Sequence, residues 1–73
     1  MKTKLTIREE EVLEYIIKFK EVNGYAPTVR EICQGINTKS RTHVHEMMCK
    51  LRDLGYITFK NNQPRTIVVT RFI

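Results

Sequence analysis

Residues Thr28-Val29-Arg30-Glu31-Ile32-Cys33-Gln34-Gly35-Ile36, and the run from Ser40 to Gly55 that follows Asn37-Thr38-Lys39, decide how this chain is built. Thr28 and Glu31 have the S/T-x-x-E spacing of a capping box, in which hydroxyl and carboxylate satisfy the free amides of a helix start. Val29, Ile32, Cys33 and Ile36 recur at i, i+3, i+4 and i+7, so one helical face is wholly apolar. Ser40 is a good N-cap for the next helix. In that helix Val44, Met47, Met48 and Leu51 converge on one side, while Thr42, His43, His45, Glu46 and Cys49 fan across the other. Asn37 suits the left-handed conformation that so short a turn requires. The spacing therefore predicts helices over 29–36 and 40–54 joined as a helix-turn-helix, whose second helix is a rod able to enter the major groove of DNA.

Upstream, Thr6-Ile7-Arg8-Glu9 repeats the capping-box spacing and predicts a helix over 7–22. Val12, Ile16 and Phe19 form its central stripe, with Leu13, Tyr15 and Ile17 on the flanks. The glutamates from Glu9 to Glu14 read as a solvated face. Asn23-Gly24 closes the helix and Tyr25-Ala26-Pro27 links it to Thr28. Downstream of Gly55 the period falls from 3.6 to 2. Strands are predicted over 56–60 and 66–70, both rich in β-branched and aromatic residues. Asn61-Asn62-Gln63-Pro64-Arg65 between them is turn chemistry with an arginine at its exit. Three helices followed by a hairpin make a mainly α winged helix-turn-helix, read as a single domain over 1–73.

Seventy-three residues leave little room for an enclosed catalytic cleft. No apolar run approaches the roughly 18 residues that span a bilayer, and Met1-Lys2-Thr3-Lys4 runs straight into acidic residues, so no secretory signal is expected. Two cysteines at unrelated spacing predict reduced thiols, not a disulfide framework. The net charge of +5 is unevenly spread. Residues 1–36 hold six basic and six acidic groups, whereas 37–73 hold seven basic groups against Glu46 and Asp53. The whole excess lies in the half carrying the third predicted helix and the hairpin, as expected of a nucleic-acid binder, although a basic surface alone also serves solubility.

Sharper chemistry competes with plainer roles at a few positions. His45 and Cys49 stand at i, i+4, but a structural zinc site needs four organised ligands and His43 points away from this pair, so no metal is expected. Ser40, the single serine, has no aspartate at a triad position and reads as a cap. Met47 and Met48 read as core filler. No cofactor-binding pattern is present, and no catalytic residue is assigned.

The pieces Leu5-Thr6 with Arg8 and Val12, Gly24 through Ile32, Ser40, Val44-His45, Leu51, Leu54-Gly55-Tyr56-Ile57 and Pro64-Arg65 resemble the LexA DNA-binding domain family over roughly Lys4 to Val69. Asn37 stands where that family's turn usually has glycine. The resemblance implies a transcriptional repressor of the bacterial DNA-damage (SOS) response type, cytoplasmic, in a bacterial, phage or mobile-element setting. It implies Ser40, Thr42, His43, His45 and Glu46 as base-reading positions on the third helix, with wing and nearby basic groups on phosphates. Lys39, Arg41, Lys60 and Arg65 are the phosphate candidates. The family's self-cleaving Ser/Lys peptidase domain, which also dimerises, has no counterpart here, so no enzyme activity is expected. A monomer in solution that pairs on a palindromic operator is expected, with Thr70-Arg71-Phe72-Ile73 as the one apolar edge for a partner. A protein-docking winged helix and the DNA-binding fragment of a longer self-cleaving repressor are the alternatives.

Overall fold

In the computed structural model, which describes residues 5–71, the chain runs α1 (Ile7–Asn23), α2 (Val29–Gly35), α3 (Arg41–Asp53), β1 (Ile57–Thr58) and β2 (Val68–Val69). Each helix begins where the side chains provide a cap. Thr6 Oγ1 accepts from the Glu9 amide while Glu9 Oε1 accepts from the Thr6 amide at 2.9 Å, and Thr28 with Glu31 does the same for α2. Ser40 Oγ accepts from the His43 amide at 3.1 Å at the start of α3. Losing such a cap costs about 1 kcal/mol. The turn between α2 and α3 closes through Asn37, at φ 61°, and a bond from the Thr38 amide to Cys33 O at 2.9 Å. Gly55, at φ 86°, lets the chain leave α3 and fold back, so that the Tyr56 amide reaches Leu51 O at 2.9 Å.

The core is built from all three helices and is closed underneath by the hairpin. Val12, Leu13 and Ile16 of α1 meet Ile32 and Cys33 of α2 with Ile36 at its end, and Val44, Met47, Met48 and Leu51 of α3. Ala26, Tyr56, Ile57 and Ile67 complete it. The α3 stripe read from periodicity is thus buried, with both methionines inside; in α2 Val29 is only half-buried, and in α1 Leu13, expected on a flank, is fully buried. Phe19 departs from its expected central place. The buried residues of α1 stop at Ile16, and Phe19 lies half-buried between the Tyr15 and Tyr25 rings, 5.9 and 5.8 Å from their centroids.

Glu9 also departs from expectation. Instead of joining a solvated acidic face it is buried, its carboxylate held by the Thr6 amide and lying 3.7 Å from Lys50 Nζ of α3. A buried carboxylate is tolerated where such partners replace water.

The strands are antiparallel with Ile57 opposite Val69 and Thr58 opposite Val68. They are much shorter than 56–60 and 66–70, because the Thr66 side chain takes the Lys60 amide at the wing end and Leu51 O takes the Tyr56 amide at the other. Thr66 Oγ1 accepts from the Lys60 amide at 2.9 Å and donates to Gln63 O at 2.9 Å. At the far end Tyr56 O accepts from the Thr70 amide, and Thr70 Oγ1 donates to Gly55 O at 2.7 Å. Asn62 and Arg65, both at left-handed φ (61° and 62°), bend the intervening wing. Phe72 and Ile73, half of the expected apolar edge, lie outside the described residues, as do Met1 to Lys4. Among the described residues no helix is long and apolar enough to cross a membrane.

Candidate nucleic-acid interface

The outer face of α3 is polar and open. Ser40, Arg41, Thr42, His43, His45 and Glu46 are all exposed, as is Lys39 in the turn before them. Their order on the helix sorts them into flanks. With the buried side defined by Val44, Met47, Met48 and Leu51, the helical repeat sets Thr42 and Glu46 near the middle of the outer face. It sets Arg41 and His45 toward the wing, and His43 and Lys50 toward α1. Lys50 accordingly meets Glu9 of α1.

Four of the five base-reading candidates, all but Thr42, are engaged with neighbours. His45 presents Nδ1 to Cys49 Sγ at 3.7 Å and meets the Phe59 ring edge-on, centroids 5.8 Å apart. His43 Nδ1 lies 4.0 Å from Glu46 Oε1, an ion pair only when the imidazole is protonated. Ser40 spends an acceptor lone pair on the His43 amide, which leaves its hydroxyl proton free for a phosphate. Among the described residues no group of three or more His, Cys, Asp or Glu side chains is arranged to hold a metal ion, and both cysteines are free thiols.

Between the wing, the start of α2 and the wing-side flank of α3 lies an open cleft of about 620 Å³. Arg30, Arg41, His45, Lys60 and Arg65 line it. The fold thus brings three of the four phosphate candidates, Arg41, Lys60 and Arg65, to one cleft, with Lys39 outside it. Arg30 was missed from sequence. It is exposed beside the Thr28–Glu31 box, and its place inside a charge-balanced N-terminal half gave no signal that the fold would set it facing Lys60 and Arg41.

Arg65, expected on phosphates, has partners within the protein. Its Nη1 donates to Glu31 Oε1 and to Ala26 O, both at 3.0 Å, its Nη2 donates to Glu31 Oε2 at 3.0 Å, and its Cζ lies 4.6 Å over the Tyr25 ring. Position in the sequence aims this guanidinium at a DNA backbone, but the fold closes it on a carboxylate within the protein. The electrostatics agree. Glu31 is held below the usual carboxylate range, first by the Arg65 hydrogen bond and then by the Thr28 amide, against an opposing desolvation. Arg65 is raised, chiefly by its hydrogen bond to Glu31.

The family model for the LexA DNA-binding domain matches residues 2–66 of this chain. The LexA repressor of Caldicellulosiruptor saccharolyticus is 42% identical over 94% of this chain, a match covering 34% of that protein. Those of Ruminiclostridium cellulolyticum and Acetivibrio thermocellus are 38% and 36% identical, again over 94% of this chain and 32% of each relative. The chain thus spans about a third of the length of the curated relatives it matches. The resemblance read from Gly24 through Ile32 and from Leu54 through Ile57 is confirmed. Three helices, a two-stranded hairpin and a match running through nearly all of them place the chain in the LexA DNA-binding domain family.

Proposed function

We propose that the chain binds duplex DNA sequence-specifically, with α3 in the major groove and the wing beside it, and that it acts as a repressor at an operator. The observation that carries this reading is the exposed polar face of α3 flanked by the cleft cations Arg30, Arg41 and Lys60, in a chain of the LexA DNA-binding domain family. Thr42, His43, His45 and Glu46 have the donors and acceptors that read base edges, and Glu46 accepts from a cytosine amino group while repelling guanine acceptors. Ser40 stands with these base-reading positions, its hydroxyl also able to meet a phosphate, and Lys39, Arg41 and Lys60 set the register on phosphates. The curated relatives are named as repressors, which supports repression as the outcome of binding.

Selection from random duplexes followed by a salt titration tests the reading. With four to six phosphate contacts per protomer, the log–log slope of affinity against salt should be about −3 to −5. A flat response on the selected duplex would remove DNA as the partner and favour a protein-docking winged helix.

A further inference from the structure

The wing is fastened to the rest of the fold at two points, each on a different helix. On the outgoing leg, Phe59 meets His45 edge-on and carries the Arg52 guanidinium 5.1 Å over its ring, both from α3. On the return leg, Arg65 forks onto Glu31 of α2 with two bonds of 3.0 Å, adds a third to Ala26 O, and lies on Tyr25. Glu31 is a fixed anchor, because its Oε1 also accepts the Thr28 amide that closes the α2 capping box. Arg65 holds φ 62°, a conformation uncommon for a residue with a side chain, which persists where the surroundings over-determine it.

We propose that the Arg65–Glu31 fork is a latch that sets the angle of the wing against the helix-turn-helix, and that Arg65 is a positioning residue for DNA binding and not a phosphate contact. The inference rests on the DNA-binding reading above. A planar guanidinium meeting a carboxylate through two parallel bonds fixes orientation as well as distance. An ammonium on a flexible stem fixes only distance. The latch is local in its energy but not in its effect. It joins the return leg of the wing to the helix that precedes the recognition turn, and so holds Lys60 across the cleft from Arg30 and Arg41.

The two roles for Arg65 predict opposite results for one substitution. Glu31→Gln removes a negative charge and keeps the capping box, which glutamine also supports. A phosphate-binding Arg65 would be freed by it and bind DNA as tightly or more tightly. A latch would be broken and bind less tightly. Arg65→Lys separates them again, since lysine replaces arginine well on a phosphate but not in a bidentate, stacked fork.

The experiment titrates the selected duplex with the unaltered chain, Glu31→Gln, Arg65→Lys and the double variant. It also follows amide hydrogen exchange of Lys60 and Gln63 without DNA, these being wing amides that bond to Thr66 Oγ1 and Lys60 O. We expect each single variant to bind about three- to thirtyfold more weakly, the double variant to bind no more weakly than either, and the wing amides to exchange faster in all three. Binding by Glu31→Gln at or above the unaltered level, full rescue by Arg65→Lys, or unchanged wing exchange overturns the latch. Failure of the unaltered chain to bind any duplex instead removes the DNA reading and the positioning role with it, while the exchange arm still decides whether the fork holds the wing. If one single variant does not fold, the other carries the test.

Discussion

Glu46 and Arg41 are separated by little more than one turn of α3, yet they are expected to contribute differently. Glu46 sits near the middle of the outer face with 72% of its side chain exposed, open to a base edge beside its one protein neighbour, His43. Glu46→Ala should change the preferred base at one or two positions by roughly 1–3 kcal/mol each. Arg41 faces the cleft, where a phosphate contact adds affinity without reading sequence. Arg41→Ala should weaken all duplexes alike and reduce the salt slope by about one unit. Selection and salt titration on both variants check the assignment. A base preference altered by Arg41→Ala and untouched by Glu46→Ala would reverse it. His43 bears on the same test, since its protonated ring would compete for the Glu46 carboxylate at 4.0 Å.

At the scale of elements, packing overrides helix propensity in α2. Replacing a helical glycine with alanine ordinarily gains about 0.5–1 kcal/mol. A Cβ at Gly35, however, would overlap the Tyr15 ring of α1, and overpacking costs roughly 1–3 kcal/mol. The steric cost exceeds the gain in propensity, so Gly35→Ala should lower stability to denaturant. In a Tyr15→Leu background the penalty should vanish, and a penalty that survived there would show that the ring is not its source. The wing makes a second prediction. Glu31 titrates below its ordinary range because of Arg65, so the stabilisation it gives is present above the unfolded carboxylate's pKa. It is lost as pH falls through the lowered folded value. Wing amides should therefore lose protection only in acid below the ordinary carboxylate range, with no change near neutrality. In Glu31→Gln that acid step should be missing. An acid step that persists in the variant would assign the titration to another group.

For the whole molecule, the exposed large apolar side chains among the described residues are Ile7, Val22, Tyr25 and Val68. Ile7 and Val22 stand at opposite ends of α1, roughly 22 Å apart at 1.5 Å per residue, and Arg65 covers the Tyr25 ring. We expect a monomer at micromolar concentration, checked by sedimentation, and a tight DNA-free dimer would contradict it. On DNA two copies should occupy half-sites one helical turn apart, about 34–36 Å. Extents of 32 × 25 × 22 Å let them lie side by side on one face of the duplex.

Local spacing was enough to reveal the three helices, where each begins, and the hairpin after them. Capping boxes at Thr6 and Thr28, the Ser40 cap, and left-handed positions at Asn37 and Gly55 act within a few residues, so spacing alone reveals them. The apolar stripes were legible for the same reason, because 3.6-residue periodicity records which face a helix buries. Residue type and position on α3 likewise mark the polar face without any tertiary information. Which charges pair with one another within the protein depends on packing. Arg65 reads as a wing cation until Glu31, 34 residues earlier, takes its fork. Glu9 reads as a surface acid until the cap turns it inward and Lys50 approaches, and Arg30 comes to line one cleft with Lys60 only in the folded chain. Strand length was decided the same way, by the Thr66 hydroxyl taking the Lys60 amide and Leu51 O taking that of Tyr56. A charge carries no local signature of its partner: periodicity tells a side chain which way to point, and only the completed packing determines what it meets there.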